Sequence, residues 1–550
     1  MNDFEKIIDA VKALKASDES RKEGKLPSGS YFLNKDDVVC FPRDFGDARR
    51  PYSCDGLILW AYSSGNIKIE ESTFTVTEDF DRGAQPKTAF YFGKAADGEY
   101  IPISVSGVGI NDREKNVERY CVYTDGGAYY IAESENLIGG LKSFVDENKN
   151  VRFDVWVKNK SAKTEKTYIS AYFDLLLKRK PNEGFEDKWY RLVETTDDGF
   201  SIHVTEYLDR TTCLNHYAYV KRICDKKTYS TTSATNFKGR QHASLPSAKS
   251  LKTGVIDNPK SKTLFTEAGV EADLTPLELK AGESAAITYL VAISDSKEKC
   301  ASHSCSNPQT KREYNDTFGN IPEVNLAGNP YGVSDFAFSS FVRSVMKQTE
   351  FCARSKNYAG ALIGVRDIFQ QLEAALIWIP EYTRKKIVEA LNFIGDDGRA
   401  PRQYSYPDNP SVLPEMDLRE FIDQGVWVIS TVYTYLSFTG DYTILDEVCG
   451  YYKFSGNKVD FSDRRDTVLD HLIAITDFLV SAIDVETGCL RALYGDWNDA
   501  LDGLGKTKDE NKKFGSGVSV PCNFIKISAK LRRLSKSAAS TQKKSRVTRR

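Results

Sequence analysis

The hydrophobic period of this 550-residue chain changes once, and that change constrains its fold more than any other feature. From about residue 30 to about residue 300, apolar side chains recur mostly at every second position. Val151–Val157 (VRFDVWV) alternates, Phe74–Thr77 and Ala286–Ala292 behave likewise, and Tyr168–Leu177 (YISAYFDLLL) reads as a buried strand. Turn signals punctuate them at Asp97-Gly98, Asp125–Gly127 and Asp197–Gly199, and Lys280–Glu283 reads as an edge turn. Many short strands with frequent turns predict a large antiparallel β-sandwich. No internal repeat recurs at a fixed period. Residues 296–333 are polar and broken by Pro and Gly, so they read as a connector. After Ser334 the period becomes helical: Phe338, Phe341, Val342 and Val345 fall at core spacing, as do Leu372, Ala375, Leu376 and Ile379. Val426, Ile429, Tyr433 and Leu436 form a further face, and Leu469, Leu472, Ile473, Ile475, Leu479 and Ile483 another. Gly440-Asp441 and Gly488 separate these stretches. The expected order is an N-terminal helix (1–30), a sandwich (31–295), the connector (296–333), successive antiparallel helices (334–517) and a basic tail (518–550).

Composition narrows the functional classes. Lys+Arg 75 against Asp+Glu 77 leaves a net charge of -2, so nothing global points to nucleic acid or to an anionic membrane surface. No apolar run approaches the length of a membrane span. Asp3, Glu5, Lys6 and Asp9 are foreign to a signal peptide, which leads to the expectation of a soluble, cytoplasmic protein. The 11 cysteines include no CxxC pair, so their spacing suits reduced thiols rather than zinc or a disulfide framework. His203, His216, His242, His303 and His471 show no metal-ligand spacing, and no metal is expected. No phosphate-binding glycine loop or nucleophile elbow is present.

Chemistry concentrates in the helical half. In Gly364-Val365-Arg366-Asp367 an Arg-Asp pair follows a glycine, which suits a loop presenting polar groups to a ligand. The same residues also suit an ordinary ion pair at a helix start. In Gly495-Asp496-Trp497-Asn498-Asp499, continuing to Asp502, carboxylates recur every three residues. On a helical face their mutual repulsion raises the pKa of the least hydrated one. A carboxyl kept protonated near neutrality is what glycosidic-bond cleavage requires at the leaving oxygen, and Trp497 supplies an apolar wall. A calcium loop fits poorly, because Ala500 would fall where an oxygen ligand is needed. Asp423, close to Trp427, and Arg402, in Arg402-Gln403-Tyr404, are further candidates for a sugar cleft, with structural roles equally open.

Three separated strings together resemble the cellobiose-phosphorylase-like enzymes, glycoside hydrolase family 94. Asn357–Gln370 resembles the entry segment of that family's catalytic domain, Phe438–Glu447 its helix-connecting segment, and Tyr494–Asp499 its catalytic loop. Val151–Leu177 resembles paired strands of its amino-terminal sandwich. The resemblance implies a galactose-mutarotase-like β-sandwich followed by an (α/α)6 toroid. It implies reversible, inverting phosphorolysis of a β-glucoside or β-oligoglucan to an α-sugar 1-phosphate. Asp499 would be the general acid, Arg366 and Asp367 would hold the sugar on the non-reducing side of the cleaved bond, and Trp497 would pack against it. Inorganic phosphate would be co-substrate and attacking group, so no second carboxylate is needed as base and no cofactor is implied. The partners implied are carbohydrate and phosphate, without nucleic acid or membrane, and a homodimer is admitted. The alternatives are an inverting hydrolase on the same architecture, with Asp367 or Asp423 as base, and an inactive carbohydrate-binding remnant.

Two departures from the family pattern stand out. Ala361 occupies the position, six residues before Asp367, where disaccharide phosphorylases of this type usually carry an arginine, which points towards an oligoglucan or an atypical subgroup. The other concerns length. Twelve helices need at least about 240 residues, whereas Ser334–Gly517 supplies 184. After Glu510 no acidic residue occurs, and ten Lys and Arg from Lys526 to Arg550 crowd the end. Such a run ordinarily reads as a solvated or nucleic-acid-binding tail. Beginning inside a catalytic-domain segment, it leads to the expectation of a carboxy-terminally incomplete toroid with little or no phosphorolytic activity, its true continuation replaced by a frame shift or gene break.

Overall fold

The computed structural model describes residues 2–491, apart from 27, 42–47, 55, 72–73, 78–85, 180–188, 208–212, 241–242, 265–268, 295, 309–326, 355–361, 378, 407–410 and 487. The chain divides into two compact units, Met1–Lys347 and Gln348–Arg550.

The first unit is built from one 11-stranded and two five-stranded sheets, and every strand pairing described in them is antiparallel. The large sheet runs through Leu137–Val145, Asn150–Asn159, Ser284–Ser294, Cys213–Ile223, Gly199–Tyr207 and Trp189–Thr196. One five-stranded sheet is centred on Glu165–Phe173 and the other on Ile67–Glu71. Alternation explains the packing. Val151, Phe153, Val155 and Val157 enter a core with Leu57 and Leu59 of one small sheet and Phe90, Phe92 and Ile169 of the other. Side chains on the other face meet a different layer, because successive Cβ atoms point to opposite sides of a strand. There Trp156 stacks on Phe4, with ring centroids 5.3 Å apart and planes 5° from parallel. Phe4 belongs to the helix Asp3–Ala16, which buries Phe4, Ile8, Val11 and Leu14 at helical spacing. A capping box between Asn2 and Glu5 starts this helix. Strands covered on both faces lose their polar alternation, which is why Glu165–Phe173 is buried at every position after its second residue.

The start of the connector and the helix that follows it show details that periodicity does not give. Residues 297–302 form a short helix whose Cys300 is buried and donates from Sγ to the Tyr217 carbonyl at 3.3 Å. The Glu147 amide then donates to the Asn307 carbonyl at 2.9 Å, so this stretch packs on the sandwich instead of leaving it. The helix Asp335–Arg354 also does not dock through Phe341 and Val345, which are 47% and 44% exposed. Among its described side chains, the buried positions are Ala337, Ser340 and Lys347. Lys347 Nζ bonds Asp36 at 2.6 Å and also Asp125, and Arg343 Nε bonds Asp36 at 2.7 Å. Ion pairing chose the face, which hydrophobic periodicity cannot foresee. The first compact unit ends at Lys347, within this helix.

In the second unit the described helices include Val365–Ala375, Pro380–Leu391, Asp423–Thr439 and Val468–Ser481. Leu372, Ala375, Leu376, Ile379, Val426, Ile429 and Leu436 are buried, as their spacing predicts. Ile473, expected on the core face, is 50% exposed, while its helix turns Leu472, Ile475 and Leu479 inward. Gly425 allows a close helix approach, since a Cβ there would lie 2.6 Å from Ile475 Cγ2. Gly440, at φ +69°, ends its helix in the left-handed conformation. Not every neighbouring helix is antiparallel. Val365–Ala375 and Asp423–Thr439 run the same way: Arg366 meets Asp423 at one end, and further along Thr431 Oγ1 donates to the Phe369 carbonyl at 2.8 Å. The hairpin Val448–Ser455/Lys458–Thr467 was not foreseen among the helices. Its alternation is mostly polar on an exposed ribbon, and the turn residues Gly456-Asn457 were its one clear signal. Among the described residues no helix is long and apolar enough to cross a membrane.

Candidate active site

Three very short strands, Ile363–Gly364, Gln403–Tyr404 and Met416–Asp417, form a small antiparallel sheet that gathers the candidate residues. Arg366 and Asp367 do not sit on a loop. Gly364 has φ -71° and ψ 126°, ordinary extended backbone, and Val365–Ala375 follows at once as a helix. Arg366 and Asp367 therefore occupy its first turn, where the helix dipole favours the carboxylate.

A set of hydrogen bonds holds Arg366. Its Nη1 donates to Asp423 Oδ2 at 3.0 Å, and its backbone N–H donates to Gln424 Oε1 at 2.8 Å. Gln424 Nε2 in turn donates to Asp423 Oδ1 at 3.1 Å. The pair is largely dry, with side chains 11% and 4% exposed for Arg366 and Asp423. Removing one partner would leave an uncompensated charge in a poorly hydrated place. Asp423, a sugar-binding candidate in the sequence, thus has both carboxylate oxygens engaged by protein donors. Asp367 differs: it is half-buried, and no side-chain partner is assigned to it among the described residues. Of the four candidates in this part of the chain, it is the one with a carboxylate left for an incoming hydroxyl.

Arg402 lies on the same small sheet. Its carbonyl accepts from the Val365 amide at 3.0 Å, and its own amide donates to the Asp417 carbonyl at 2.9 Å. Its guanidinium bonds Asp417 at 3.3 Å and lies 4.7 Å from the centre of the Phe421 ring. The structure thus brings Arg366, Asp367, Asp423 and Arg402 to one end of two parallel helices. Asp499 and Trp497, with Asp496 and Asp502, lie outside the described residues. Sequence reasoning missed Gln424, Asp417 and Phe421, and no local signal marked them, because each acts on a residue distant along the chain or across the small sheet.

Comparison with known proteins decides the family. The catalytic-domain profile of the glycosyl hydrolase 94 superfamily matches residues 345–549, and the supersandwich-domain profile of glycosyl hydrolase 94 matches residues 79–306. The chain belongs to glycosyl hydrolase family 94. The catalytic-domain match of this family-94 chain includes the basic stretch that composition alone had set apart. Solabiose phosphorylase from Paenibacillus borealis is 30% identical over 161 residues, covering 29% of this chain and 18% of that protein. N,N'-diacetylchitobiose phosphorylase from Vibrio furnissii is 25% identical over 184 residues, covering 30% of this chain and 20% of that protein. The matched stretch is therefore about a fifth of each of these relatives. A kojibiose phosphorylase candidate from the human microbiome shares 10% identity at a TM-score of 0.35, over 86% of this chain and 59% of that one. The architecture of the family-94 chain is a supersandwich domain followed by a catalytic domain.

Proposed function

We propose that this chain carries the sugar-holding part of a phosphate-dependent, inverting glycoside phosphorylase site. The observation that carries the reading is the bonded set Arg366–Asp423–Gln424 beside Asp367, which has no assigned side-chain partner among the described residues, in a domain matched by the family-94 catalytic profile. The Arg366 guanidinium is oriented by Asp423 and its backbone N–H by Gln424, and the neighbouring Asp367 carboxylate adds acceptors. Together they suit the vicinal hydroxyls of a sugar ring. Asp423 serves in this reading by orienting Arg366 rather than by touching sugar, and Arg402 lines the same end of the helices.

Asp499 would donate the proton to the departing glycosidic oxygen, with Trp497 packed against the sugar. Phosphate would attack C1 from the opposite face, so the α-sugar 1-phosphate forms with inversion and one protein carboxyl suffices. The relatives named as phosphorylases of solabiose and N,N'-diacetylchitobiose support phosphorolysis of a short saccharide. Ala361 in place of the family's further arginine favours a β-oligoglucan over a disaccharide. An (α/α)6 toroid architecture around this site is part of the same proposal, with no metal and no organic cofactor.

Incubating the chain with cellobiose, laminaribiose and their longer homologues, with and without phosphate, tests it. Sugar 1-phosphate that appears only with phosphate supports the reading, and reducing sugar released without phosphate replaces it with a hydrolase. Asp499→Asn should lower any phosphorolysis by at least about 10²–10⁴-fold with sugar binding retained.

A further inference from the structure

At the far end of the Asp423–Thr439 helix lies a second concave site that the reaction does not use. Its volume is about 660 Å³, within the range of pockets that hold small ligands. Phe438, Glu381, Arg384, Lys385, Tyr435 and Asp441 are among the residues lining it. Seventeen residues of helix separate Asp423 from Thr439, about 25 Å at 1.5 Å per residue, so this pocket and the Arg366 cluster are distinct places.

Its floor is rigid. Arg384 Nε donates to Asp441 at 3.0 Å, and Arg384 Nη2 donates to Glu447 at 2.7 Å. The Tyr435 hydroxyl donates to Asp441 at 2.6 Å. Hydrogen bonds from Thr443, Tyr435 and Arg384 hold the Asp441 carboxyl down at about 2, so it stays ionised. Burial, joined by the bond to Asp441, pushes the Tyr435 phenol up to about 12, so it stays a donor. The rim is unspent. Glu381 and Lys385 are exposed and have no assigned partner among the described residues, and the Phe438 ring is 57% exposed.

This combination selects a ligand class. Of the lining side chains, Arg384 and Lys385 are cationic and Glu381 and Asp441 anionic, so the pocket favours neither a phosphate nor a cation. It offers donors and acceptors side by side around one exposed aromatic face. That suits a neutral molecule with an apolar face and a girdle of hydroxyls, which is a sugar ring. We infer that the Phe438 pocket is an accessory saccharide site, with the bound ring stacked on Phe438 and its hydroxyls bonded by Lys385 and Glu381. The choice of saccharide over other neutral ligands rests on the phosphorylase reading. Its consequence is that longer oligosaccharides are held at two places on one unit.

Calorimetric titration of the 550-residue chain with cellotriose and laminaritriose tests this, beside the variants Phe438→Ala, Phe438→Trp and Asp367→Ala. Phe438→Ala should weaken one class of sites by about tenfold or more, at an unchanged melting temperature because the ring is exposed. Phe438→Trp should keep or tighten that class, and Asp367→Ala should leave it in place. Identical titrations for wild type and Phe438→Ala would overturn the inference, as would binding of inorganic phosphate that depends on Lys385. A retained Phe438-dependent titration together with reducing sugar released without phosphate would sink the phosphorylase reading alone. Phosphorolysis without Phe438-dependent binding would sink the accessory site alone.

Discussion

The two units use arginine–carboxylate pairs in opposite ways. In the sandwich, Arg191 pairs with Glu271, and Arg222 Nη1 pairs with Asp273 at 2.7 Å, each with its carboxylate buried on one strand. Glu271 and Asp273 are 0% and 1% exposed. Burial pushes the Glu271 carboxyl up to about 8, with Arg191 only partly opposing it. The same cause raises Asp273 against Arg222 and Ser230. In the helical unit the pairs sit at element ends. Arg366–Asp423 lies at a helix start, Arg402–Asp417 on a short strand, and Arg384–Asp441 beyond a helix end. A pair buried in a sheet core can only position backbone. A pair at an element end fixes where one element meets the next.

Paired substitutions test that distinction most strongly. Asp423→Leu alone should destabilise the helical unit by on the order of 3–5 kcal/mol, because Arg366 is left charged and largely dry. Adding Arg366→Met should recover much of that stability in thermal melts while sugar binding at the Arg366 cluster stays lost. Arg191→Met with Glu271→Leu should recover stability with sugar binding intact. Equal behaviour of the two pairs would erase the contrast.

Acidity separates the units next. The folded-state pKa of Glu271 lies above its ordinary 4.5, so its contribution is fully present below pH 4.5 and is lost as pH rises through about 8. The loss should be on the order of a few kcal/mol. Asp441 is held below its ordinary 3.8, so its contribution is present above that pH and is lost as pH falls towards about 2. Amide hydrogen exchange followed across pH should therefore show the sheets near Glu271 loosening on the alkaline side. The region around Asp441 should loosen on the acid side. Glu271→Gln should flatten the first dependence and leave the second.

Packing differs in the same direction. Gly425→Ala places a methyl 2.6 Å from Ile475 Cγ2 and should cost about 1–3 kcal/mol in the helical unit alone. The smallest effect belongs to the sandwich's added layer. Asn2→Ala removes the cap of the Asp3–Ala16 helix and should cost about 1 kcal/mol, read as faster exchange in that helix without change in the sheets. A global loss there would show that the helix is integral to the sheet fold.

Much of this was written in local pattern. The alternation of Val151–Val157 assigned its strand, and the spacing of Leu372, Ala375 and Leu376 assigned a helix face, because burial on one side imposes its period on the chain. Phe341 and Val345 misled, because Lys347 and Arg343 dock that helix by charge. At the candidate site the sequence singled out Arg366, Asp367, Asp423 and Arg402 one by one. It did not contain their relation. Arg366 and Asp423 lie 57 residues apart, and they meet only because two parallel helices start side by side. That contact gives Asp423 an arginine partner, while Asp367 has no assigned side-chain partner among the described residues. Residue chemistry and periodicity act over a few positions and are legible in one dimension. Which charge neutralises which is a matter of distance in three dimensions, and the tertiary structure alone decides it.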